Sequence, residues 1–150
     1  MKNVPKFKIE LDDVDAFIFD MDGVITDTAS VHADAWKQLF DEYLKKVADR
    51  SNEKFQPFDI SSDYLLYVDG KLRYDGVKSF LESRGIMLPY GDPEDDIDQE
   101  TVCSLGNRKN HYFHKHLQNQ GVKPYESSVQ FIKKKIQGYF HGRSIIKSQC

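Results

Sequence analysis

Two aspartates, Asp20 and Asp22, are separated by one residue and followed by Gly23. A carboxylate is a competent nucleophile towards phosphorus and can form an aspartyl-phosphate intermediate. A second carboxylate two residues away can carry a proton to or from the oxygen that leaves or attacks. The spacing therefore predicts phosphoryl transfer, with Asp20 as the nucleophile and Asp22 as the general acid and base.

The same segment also predicts groups that would hold a phosphate. A hard cation such as Mg²⁺ would bring the carboxylate of Asp20 and a phosphate together in spite of their like charges. The backbone N–H groups of Gly23 and Val24 could hydrogen-bond to phosphate oxygens. The alternative is purely structural, because Asp and Gly are common in turns and Asp-x-Asp-Gly alone is compatible with a simple turn.

Residues 16–19, directly before these aspartates, are apolar and β-forming and contain no Gly or Pro. Such a run predicts a buried strand of a parallel sheet, although a short buried helix would give the same pattern. Ligands of open α/β sheets bind just beyond the carboxyl ends of the strands. The position of Asp20 at the end of the run therefore favours a site there.

The motif extends beyond the aspartates. Residues 19–29 read Phe-Asp-Met-Asp-Gly-Val-Ile-Thr-Asp-Thr-Ala, and His32 and Trp36 follow. This stretch resembles the first motif of the haloacid-dehalogenase (HAD) superfamily, in particular the β-phosphoglucomutase-like branch and the related phosphatases. The resemblance implies an α/β fold, with a HAD-like Rossmannoid core and an inserted α-helical cap. It also implies that Asp20 is the nucleophile and a metal ligand, and that Asp22 is the acid/base and binds the metal through its main-chain carbonyl.

After this motif the sequence has a mostly helical pattern. Apolar residues recur at helical spacing from residue 28 towards residue 50, and Asp27 or Thr28 is a suitable N-cap. Further helices are predicted from Ser61 or Ser62 to Gly70, over 77–85 after a turn at 71–76, from about 100 to 121, and over 126–137. Residues 91–99 are acidic and contain Pro93, which predicts a solvated loop rather than a metal site.

These helices resemble the cap of the branch. In the family, basic cap residues close over the distal phosphate or sugar of the substrate, and Arg73 and Lys109 occupy positions that resemble those contacts. The resemblance also implies that Thr28 lies near the hinge of a mobile cap and His32 near the mouth of the active site. A guanidinium suits bidentate phosphate binding, and a lysine provides a point charge. The alternative for each is an ordinary solvated surface residue.

The resemblance divides the chain into three parts. Residues 1–27 would begin the core, residues 28–120 would form the cap, and residues 121–150 would return towards the core. The later motifs of the family, a Ser or Thr, a Lys and an acidic pair, lack clear counterparts, since Ser148 is only a weak candidate for the first of them. We therefore expect an incomplete core in a truncated member with little activity alone. Its partner would be a missing C-terminal half, or a second copy that associates through the uncovered core.

The composition of the chain bears on its binding partners and on its location in the cell. The 150 residues carry a formal net charge of −3, which gives no general electrostatic reason to bind nucleic acid. No apolar run has the length of a membrane span. Cys103 and Cys150 form no recognisable disulfide framework, so we expect a cytoplasmic location.

Two function hypotheses follow from these observations. The first is a Mg²⁺-dependent phosphatase or phosphomutase that acts on a small phosphorylated sugar. The second is a non-catalytic fragment that retains phosphosugar or partner binding. A receiver-type phosphoacceptor domain would not explain a long helical insertion directly after the aspartates. Zinc binding by His111, His114 and His116 would need further ligands of matched geometry, and the sequence offers none.

Overall fold

The computed structural model of the chain describes residues 17–139. Its regular elements are helical: α1 Thr28–Ser51, a π-helical turn Tyr64–Val68, α2 Arg73–Ser83, α3 Val102–Gln120 and α4 Glu126–Tyr139. Within the described residues, β-structure is limited to two isolated bridges, which join Asp22 to Thr26 and Thr26 to Pro124. The mostly helical character expected for this chain is confirmed, whereas the Rossmannoid core and the cap stay predictions.

Helix α1 carries the longest apolar face of the structure. The predicted face is buried at all positions but Val47, which is half-buried; the buried residues are Val31, Ala35, Trp36, Leu39, Phe40, Tyr43 and Leu44. The helix begins at Thr28 with Asp27 at the N-cap position, as predicted, although the Asp27 side chain makes no capping hydrogen bond. It ends where Asn52 adopts a left-handed φ of 56°. The helical period of the sequence therefore identifies this element well.

The core lies between α1, α2, α3 and the loop before the π-helical turn. At its centre, the ring centroid of Phe80 lies 4.1 Å from that of Phe40 and 4.9 Å from that of Phe58. All three side chains are at most 1% exposed. Burying one such side chain contributes roughly 1.5–3 kcal/mol. This aromatic cluster therefore holds α1 and α2 together and, through them, the surface on which the site is built.

The predicted buried strand at residues 16–19 is wrong for the part that the structure describes. Phe17, Ile18 and Phe19 do not form a strand, and Ile18 is 97% exposed. A strand is stable only when neighbouring strands satisfy its backbone groups, and residues 17–139 supply no such neighbour. Ala16 lies outside the described residues.

The helix predicted from Ser61 or Ser62 to Gly70 is present in a shorter form. It is a single π-helical turn, Tyr64–Val68. The carboxylate of Asp59 accepts hydrogen bonds from the N–H and the hydroxyl of Ser62, which fixes a turn before the helical residues. Gly70 then ends the segment with a φ of 70°.

Helix α2 begins at Arg73, inside the residues predicted as a turn. The Asp75-Gly76 pair favours a turn locally, but Gly76 is buried, and a Cβ atom added to it would meet Trp36 and Val68 at 3.5 Å. Packing against α1 therefore overrides the local preference, as tertiary context often does. Because the helix starts early, Arg73 stands on its first turn rather than in a free loop.

Helices α3 and α4 agree with the predicted bounds to within two residues. The hydroxyl of Thr101 caps α3 by accepting a hydrogen bond from the N–H of Ser104 at 3.0 Å. Gly121 ends the helix with its N–H bonded to the carbonyl of Leu117. The acidic residues 91–99 form an irregular, mostly exposed loop, as predicted. Of the described helices, none is both long enough and apolar enough to cross a membrane.

Candidate active site

The segment 20–28 carries the predicted catalytic aspartates. Asp20 is exposed, and its Oδ1 accepts a hydrogen bond from the N–H of Met21 at 2.8 Å. Asp22 is also exposed, and its Oδ1 accepts a hydrogen bond from the hydroxyl of the buried Thr28 at 2.6 Å. Each carboxylate is therefore oriented by one hydrogen bond. The bond to Asp22 comes from Thr28, the first residue of α1, and so connects the aspartate segment to that helix.

The chain turns sharply after Asp22. Gly23 has a φ of 73°, a left-handed value that favours glycine. Its N–H donates to the carbonyl of Thr26 at 2.8 Å, and the N–H of Thr26 donates to the carbonyl of Met21 at 2.9 Å. The Gly23 N–H is thus engaged within the turn, while Val24 is exposed. The role of these two amides in phosphate binding stays a prediction.

The segment that enters α1 is paired with the segment that enters α4. The N–H of Asp27 donates to the carbonyl of Lys123, and the N–H of Tyr125 donates to the carbonyl of Ile25, each at 2.8 Å. The hydroxyl of Tyr125 also donates to Asp27 Oδ1 at 3.1 Å. Residues 28–120 are therefore entered and left at adjacent points, beside the aspartates.

Lys109, in the middle of α3, is only 5% exposed and contacts His32, which lies near the start of α1. Its Nζ lies 2.7 Å from His32 Nδ1. The ammonium lies 5.2 Å from the ring centroid of Trp36 and 4.9 Å from that of Phe113, and the imidazole stacks on Phe113 at 4.0 Å. Cation–π attraction stabilises such a desolvated cation. Two residues singled out by the sequence, 77 positions apart, are thus in direct contact.

The charges of this cluster influence one another. Burial and then the charge of Arg73 lower the pKa of Lys109 to about 8. Burial and then the charge of Lys109 lower the pKa of His32, whereas the charge of Asp22 raises it. At neutral pH Lys109 is therefore mostly protonated and donates to Nδ1 of a neutral His32. Asp22 and Arg73 lie near enough to act on this pair.

Arg73 is half-buried on the first turn of α2. Its Nη2 donates to the hydroxyl of Tyr74 at 2.9 Å and more weakly to Asn107 Oδ1 at 3.5 Å. Its guanidinium carbon lies 4.8 Å from the centroid of the Tyr74 ring. The structure thus brings Asp22, Thr28, His32, Arg73 and Lys109 to one region, at the first turns of α1 and α2 and the middle of α3. Asp20 is two residues before Asp22, and both aspartates are exposed.

Three further residues near the site, Tyr74, Asn107 and Phe113, were not among the predicted site residues. A signal existed for Phe113, because it lies four residues after Lys109 and so shares a helix face with it. A signal existed for the other two in the Gly106-Asn107 pair, since both residue types are unfavourable inside a helix. A glycine there commonly marks the close approach of another group.

Asp20 and Asp22 provide oxygen ligands, which fit a hard cation. Mg²⁺ is commonly bound through one or two carboxylates, and water and substrate phosphate complete its coordination. Within residues 17–139, no group of three or more His, Cys, Asp or Glu side chains is arranged to hold a metal ion. The carboxylate oxygens of Asp20 and Asp22 are donors of the type that a Mg²⁺ site completed by substrate and water uses.

Comparison with protein families gives a match that covers most of the chain. The model of the haloacid dehalogenase-like hydrolases matches residues 14–139. This range includes the aspartate segment and all of the described helices.

Comparison with individual proteins gives relatives of two kinds. The chain is 53% identical over 119 residues to the β-phosphoglucomutases of Mycobacterium bovis and Mycobacterium tuberculosis, which covers 79% of this chain and 45% of each relative. It is 38% identical over 120 residues to an uncharacterized glycosyl hydrolase of M. tuberculosis, which covers 80% of this chain and 9% of that protein. The chain therefore spans less than half the length of the relatives that it matches.

Proposed function

The chain belongs to the haloacid dehalogenase-like hydrolases, and we propose that it carries the nucleophile and the cap of a phosphatase or phosphomutase for a small phosphorylated sugar. The observation that supports this most directly is the convergence of Asp22, in the turn of the motif, with His32 of α1 and Lys109 of α3. The identity to β-phosphoglucomutases adds support, although those proteins are more than twice as long as the matched part.

Asp20 acts as the nucleophile in this proposal. The N–H of Met21 holds one carboxylate oxygen, and the second oxygen attacks phosphorus. An oxygen–phosphorus bond to Asp20 forms while the bond from phosphorus to the sugar oxygen breaks. A water molecule or a sugar hydroxyl then attacks the aspartyl phosphate and returns Asp20 to its free form. The first acceptor gives a phosphatase and the second gives a phosphomutase.

Asp22 carries the proton in both steps. It donates to the departing sugar oxygen and takes a proton from the water or hydroxyl that attacks next. The hydrogen bond from Thr28 holds one of its oxygens, which leaves the other oxygen to exchange the proton. Because Thr28 is the first residue of α1, a movement of that helix would move the proton carrier as well.

The cationic residues offset the charge of the phosphate. Two like charges at 4 Å repel by about 4 kcal/mol at an effective dielectric near 20, so phosphate cannot approach two carboxylates without compensation. Lys109 is preorganised by its contacts with His32 and the aromatic rings. Arg73 would bind the distal phosphate or hydroxyl groups of the sugar, and His32 would line the entrance.

A Mg²⁺ ion held by Asp20 and by the main-chain carbonyl of Asp22 would neutralise charge between carboxylate and phosphate. The oxygen chemistry of these donors supports this assignment. Family membership supports it too, because the resemblance of the motif implies a divalent cation at the two aspartates. The N–H groups of Gly23 and Val24 would donate hydrogen bonds to phosphate oxygens once the hydrogen bond from the Gly23 N–H to the Thr26 carbonyl breaks.

We also propose the division into residues 1–27, 28–120 and 121–150, with the middle part as the cap. The adjacent hydrogen bonds of Asp27 with Lys123 and of Tyr125 with Ile25 support it, because an inserted unit enters and leaves its host at neighbouring points. The buried free thiol of Cys103 is compatible with the reducing cytoplasm that we propose as its location.

The second candidate function is non-catalytic binding, of a sugar phosphate or of a protein partner. Its support is the exposed apolar surface at Ile18, Phe19 and Met21, since large apolar side chains exposed together favour association. The partner would be the remainder of a HAD-like core or a second copy of the chain.

Trapping of the phosphorylated enzyme distinguishes the two candidates. The full chain is incubated with acetyl phosphate and Mg²⁺, and the phosphorylated residue is located by mass spectrometry. We expect phosphate on Asp20, its loss in Asp20→Asn, and its retention in Asp34→Asn, which removes an exposed carboxylate of α1. Phosphorylation that persists in Asp20→Asn would refute the assignment of the nucleophile. Phosphorylation that never occurs in the parent chain would refute catalysis by this chain and favour the non-catalytic candidate.

A further inference from the structure

The ring of Tyr74 lies directly against the backbone of α3 at Gly106. A Cβ atom added to this glycine would lie 2.6 Å from Tyr74 Cδ1 and 2.8 Å from Cε1, and 3.4 Å from Arg73 Cγ. Glycine is less favourable than alanine inside a helix, so its presence here needs a reason. The reason that the structure supplies is the close approach of the first turn of α2.

A continuous chain of hydrogen bonds crosses this contact. Arg73 Nη2 donates to the hydroxyl of Tyr74 at 2.9 Å, and that hydroxyl donates to Asn107 Oδ1 at 3.0 Å. Asn107 Nδ2 in turn donates to the carbonyls of Pro93 and Asp95 at 2.9 and 3.0 Å. The Asn107 amide uses both its donors and its acceptor, so its orientation is fixed.

The loop that receives this amide is itself braced. The carboxylate of Asp95 accepts a hydrogen bond from the hydroxyl of Thr101 at 2.6 Å. Ser104 Oγ donates to the carbonyl of Asp96 at 2.6 Å, and Arg108 Nε donates to the carbonyl of Ile97 at 2.6 Å. Residues 91–101 therefore serve as a fixed support for the far end of the hydrogen-bond chain.

The other end of the chain, at Arg73, is incompletely satisfied by protein. Among the described residues, Nε of Arg73 is buried and has no hydrogen-bond partner. A buried unpaired donor is costly, and such groups need an explanation. A guanidinium held by one nitrogen through Tyr74, with unsatisfied donor capacity, suits a ligand that accepts hydrogen bonds.

We propose that Asn107 is a positioning residue for Arg73. Through the hydroxyl of Tyr74 it fixes the direction of the guanidinium, and thereby favours phosphorylated substrates whose distal end reaches Arg73. The dependence on substrate rests on the proposed function, in which Arg73 contacts the sugar. The positioning itself does not, because it is a property of the contacts between α2, α3 and residues 91–101.

The positioning can be tested without any substrate through the pKa of Lys109, which the charge of Arg73 lowers. The pKa is measured by NMR in the full chain and in the variants Asn107→Ala and Tyr74→Phe. Asn119→Ala serves as the control, since it removes the same amide from an exposed position of α3. Circular dichroism of each variant verifies that the helices are formed.

If Asn107 positions Arg73, both test variants release the guanidinium and the pKa of Lys109 rises, while the control leaves it unchanged. On an Arg73→Ala background, Asn107→Ala should give no further rise. An unchanged pKa in Asn107→Ala, or an equal rise on both backgrounds, would overturn the proposal.

The dependence on substrate is tested by NMR titration with glucose 6-phosphate and with inorganic phosphate, both with Mg²⁺. We expect Asn107→Ala and Tyr74→Phe to weaken glucose 6-phosphate binding about five- to tenfold. Inorganic phosphate, which has no distal end, should bind equally to all variants. Arg73→Ala should lose at least as much sugar-phosphate affinity as Asn107→Ala.

The two proposals fail in different ways. If Arg73→Ala leaves glucose 6-phosphate binding unchanged, or if the parent chain does not bind it, the role of Arg73 in the proposed function is wrong. If Arg73→Ala weakens binding but Asn107→Ala does not, the positioning role of Asn107 is wrong and the proposed function stands.

Discussion

Residues 28–120 and residues 17–27 are stabilised in different ways. In the helical part, the central side chains are removed from water, and Phe40 and Phe80 have no exposed surface. In the segment before it, Ile18 is 97% exposed and Met21 is 61% exposed. There the chain is held by turn hydrogen bonds, such as that from the N–H of Thr26 to the carbonyl of Met21. The helical part depends on burial, whereas the aspartate segment depends on hydrogen bonds, both within its own turn and to residues 123–125.

Because of this difference, the residues that stabilise the fold and the proposed catalytic aspartates lie in different parts of the chain. The proposed nucleophile and proton carrier, Asp20 and Asp22, lie in the less packed segment, while Lys109 lies in the packed one. Local stability in proteins is lowest where few apolar contacts are buried, and segments that must move belong to that class. Substitutions in the helical part should therefore change unfolding strongly, and substitutions before Thr28 should change it little.

The largest effect is expected at the aromatic centre of the helical part. Phe80→Ala should lower the free energy of unfolding by about 3–5 kcal/mol, because it removes buried surface and leaves a cavity beside Phe40 and Phe58. Leu65→Ala is the matched control, since Leu65 is apolar but 64% exposed. Urea denaturation measures both. Similar losses in the two variants would mean that burial is not what distinguishes the helical part.

A second prediction uses the charge of Lys109. The unfolded chain holds this proton up to an ordinary pKa of 10.5, whereas the folded chain releases it at a pKa of about 8. Between these pH values the unfolded state binds more protons, so this group makes the free energy of unfolding rise with pH. The rise is absent below pH 8, where both states are protonated, and it reaches at most about 3 kcal/mol over the window.

Lys109→Met removes this pH dependence. The free energy of unfolding is measured from about pH 7 to about pH 10 in the parent chain and in the variant, and the parent should gain on the variant as pH rises. Lys115→Met, which removes an exposed lysine of the same helix, should keep a constant difference from the parent. A constant difference for Lys109→Met as well would contradict the burial of a charged amine at this position.

A third prediction compares two helix-interior glycines. Gly106→Ala should destabilise the chain by about 1–3 kcal/mol, because the new methyl group would overlap the ring of Tyr74. Gly76→Ala should be neutral or stabilise by up to about 1 kcal/mol, since its Cβ would meet Trp36 at an ordinary 3.5 Å and alanine favours a helix. Thermal or urea unfolding gives both values. Stabilisation by Gly106→Ala would show that Tyr74 can move away.

The contrast between the two parts also explains which features could be predicted from the sequence. The bounds of α1 and α3 follow from apolar periodicity and from local end signals such as Gly121. These signals come from residues that are close together in the sequence, so they can be recognised without knowing the fold. The early start of α2 depends on Gly76 packing against Trp36, which no local pattern contains. The strand prediction failed over residues 17–19 because a strand depends on neighbours that are distant in sequence.

The candidate site was predictable in the same uneven way. The aspartates follow from residue type and spacing, and Arg73, Lys109 and His32 follow from resemblance to the family. The contact of Lys109 with His32 could not be inferred from spacing, because it joins residues 77 positions apart. Tyr74 and Asn107 could not be predicted because their role depends on how α2 packs against α3. In the sequence, Gly106, which permits this packing, is recognisable only as a residue that is unfavourable in a helix.

The smallest effect is expected in the aspartate segment, at Ile18. Ile18→Ser should change the free energy of unfolding by less than about 0.5 kcal/mol, because the side chain is already in water in the folded chain. Urea denaturation at two protein concentrations measures the change, and sedimentation velocity gives the oligomeric state at each. A loss above about 1 kcal/mol would mean that Ile18 is covered in solution. If that loss appears only at the higher concentration, together with a dimer of the parent chain that Ile18→Ser abolishes, the cover is a second copy. The division between a packed helical part and an unpacked aspartate segment would then hold only for the isolated chain.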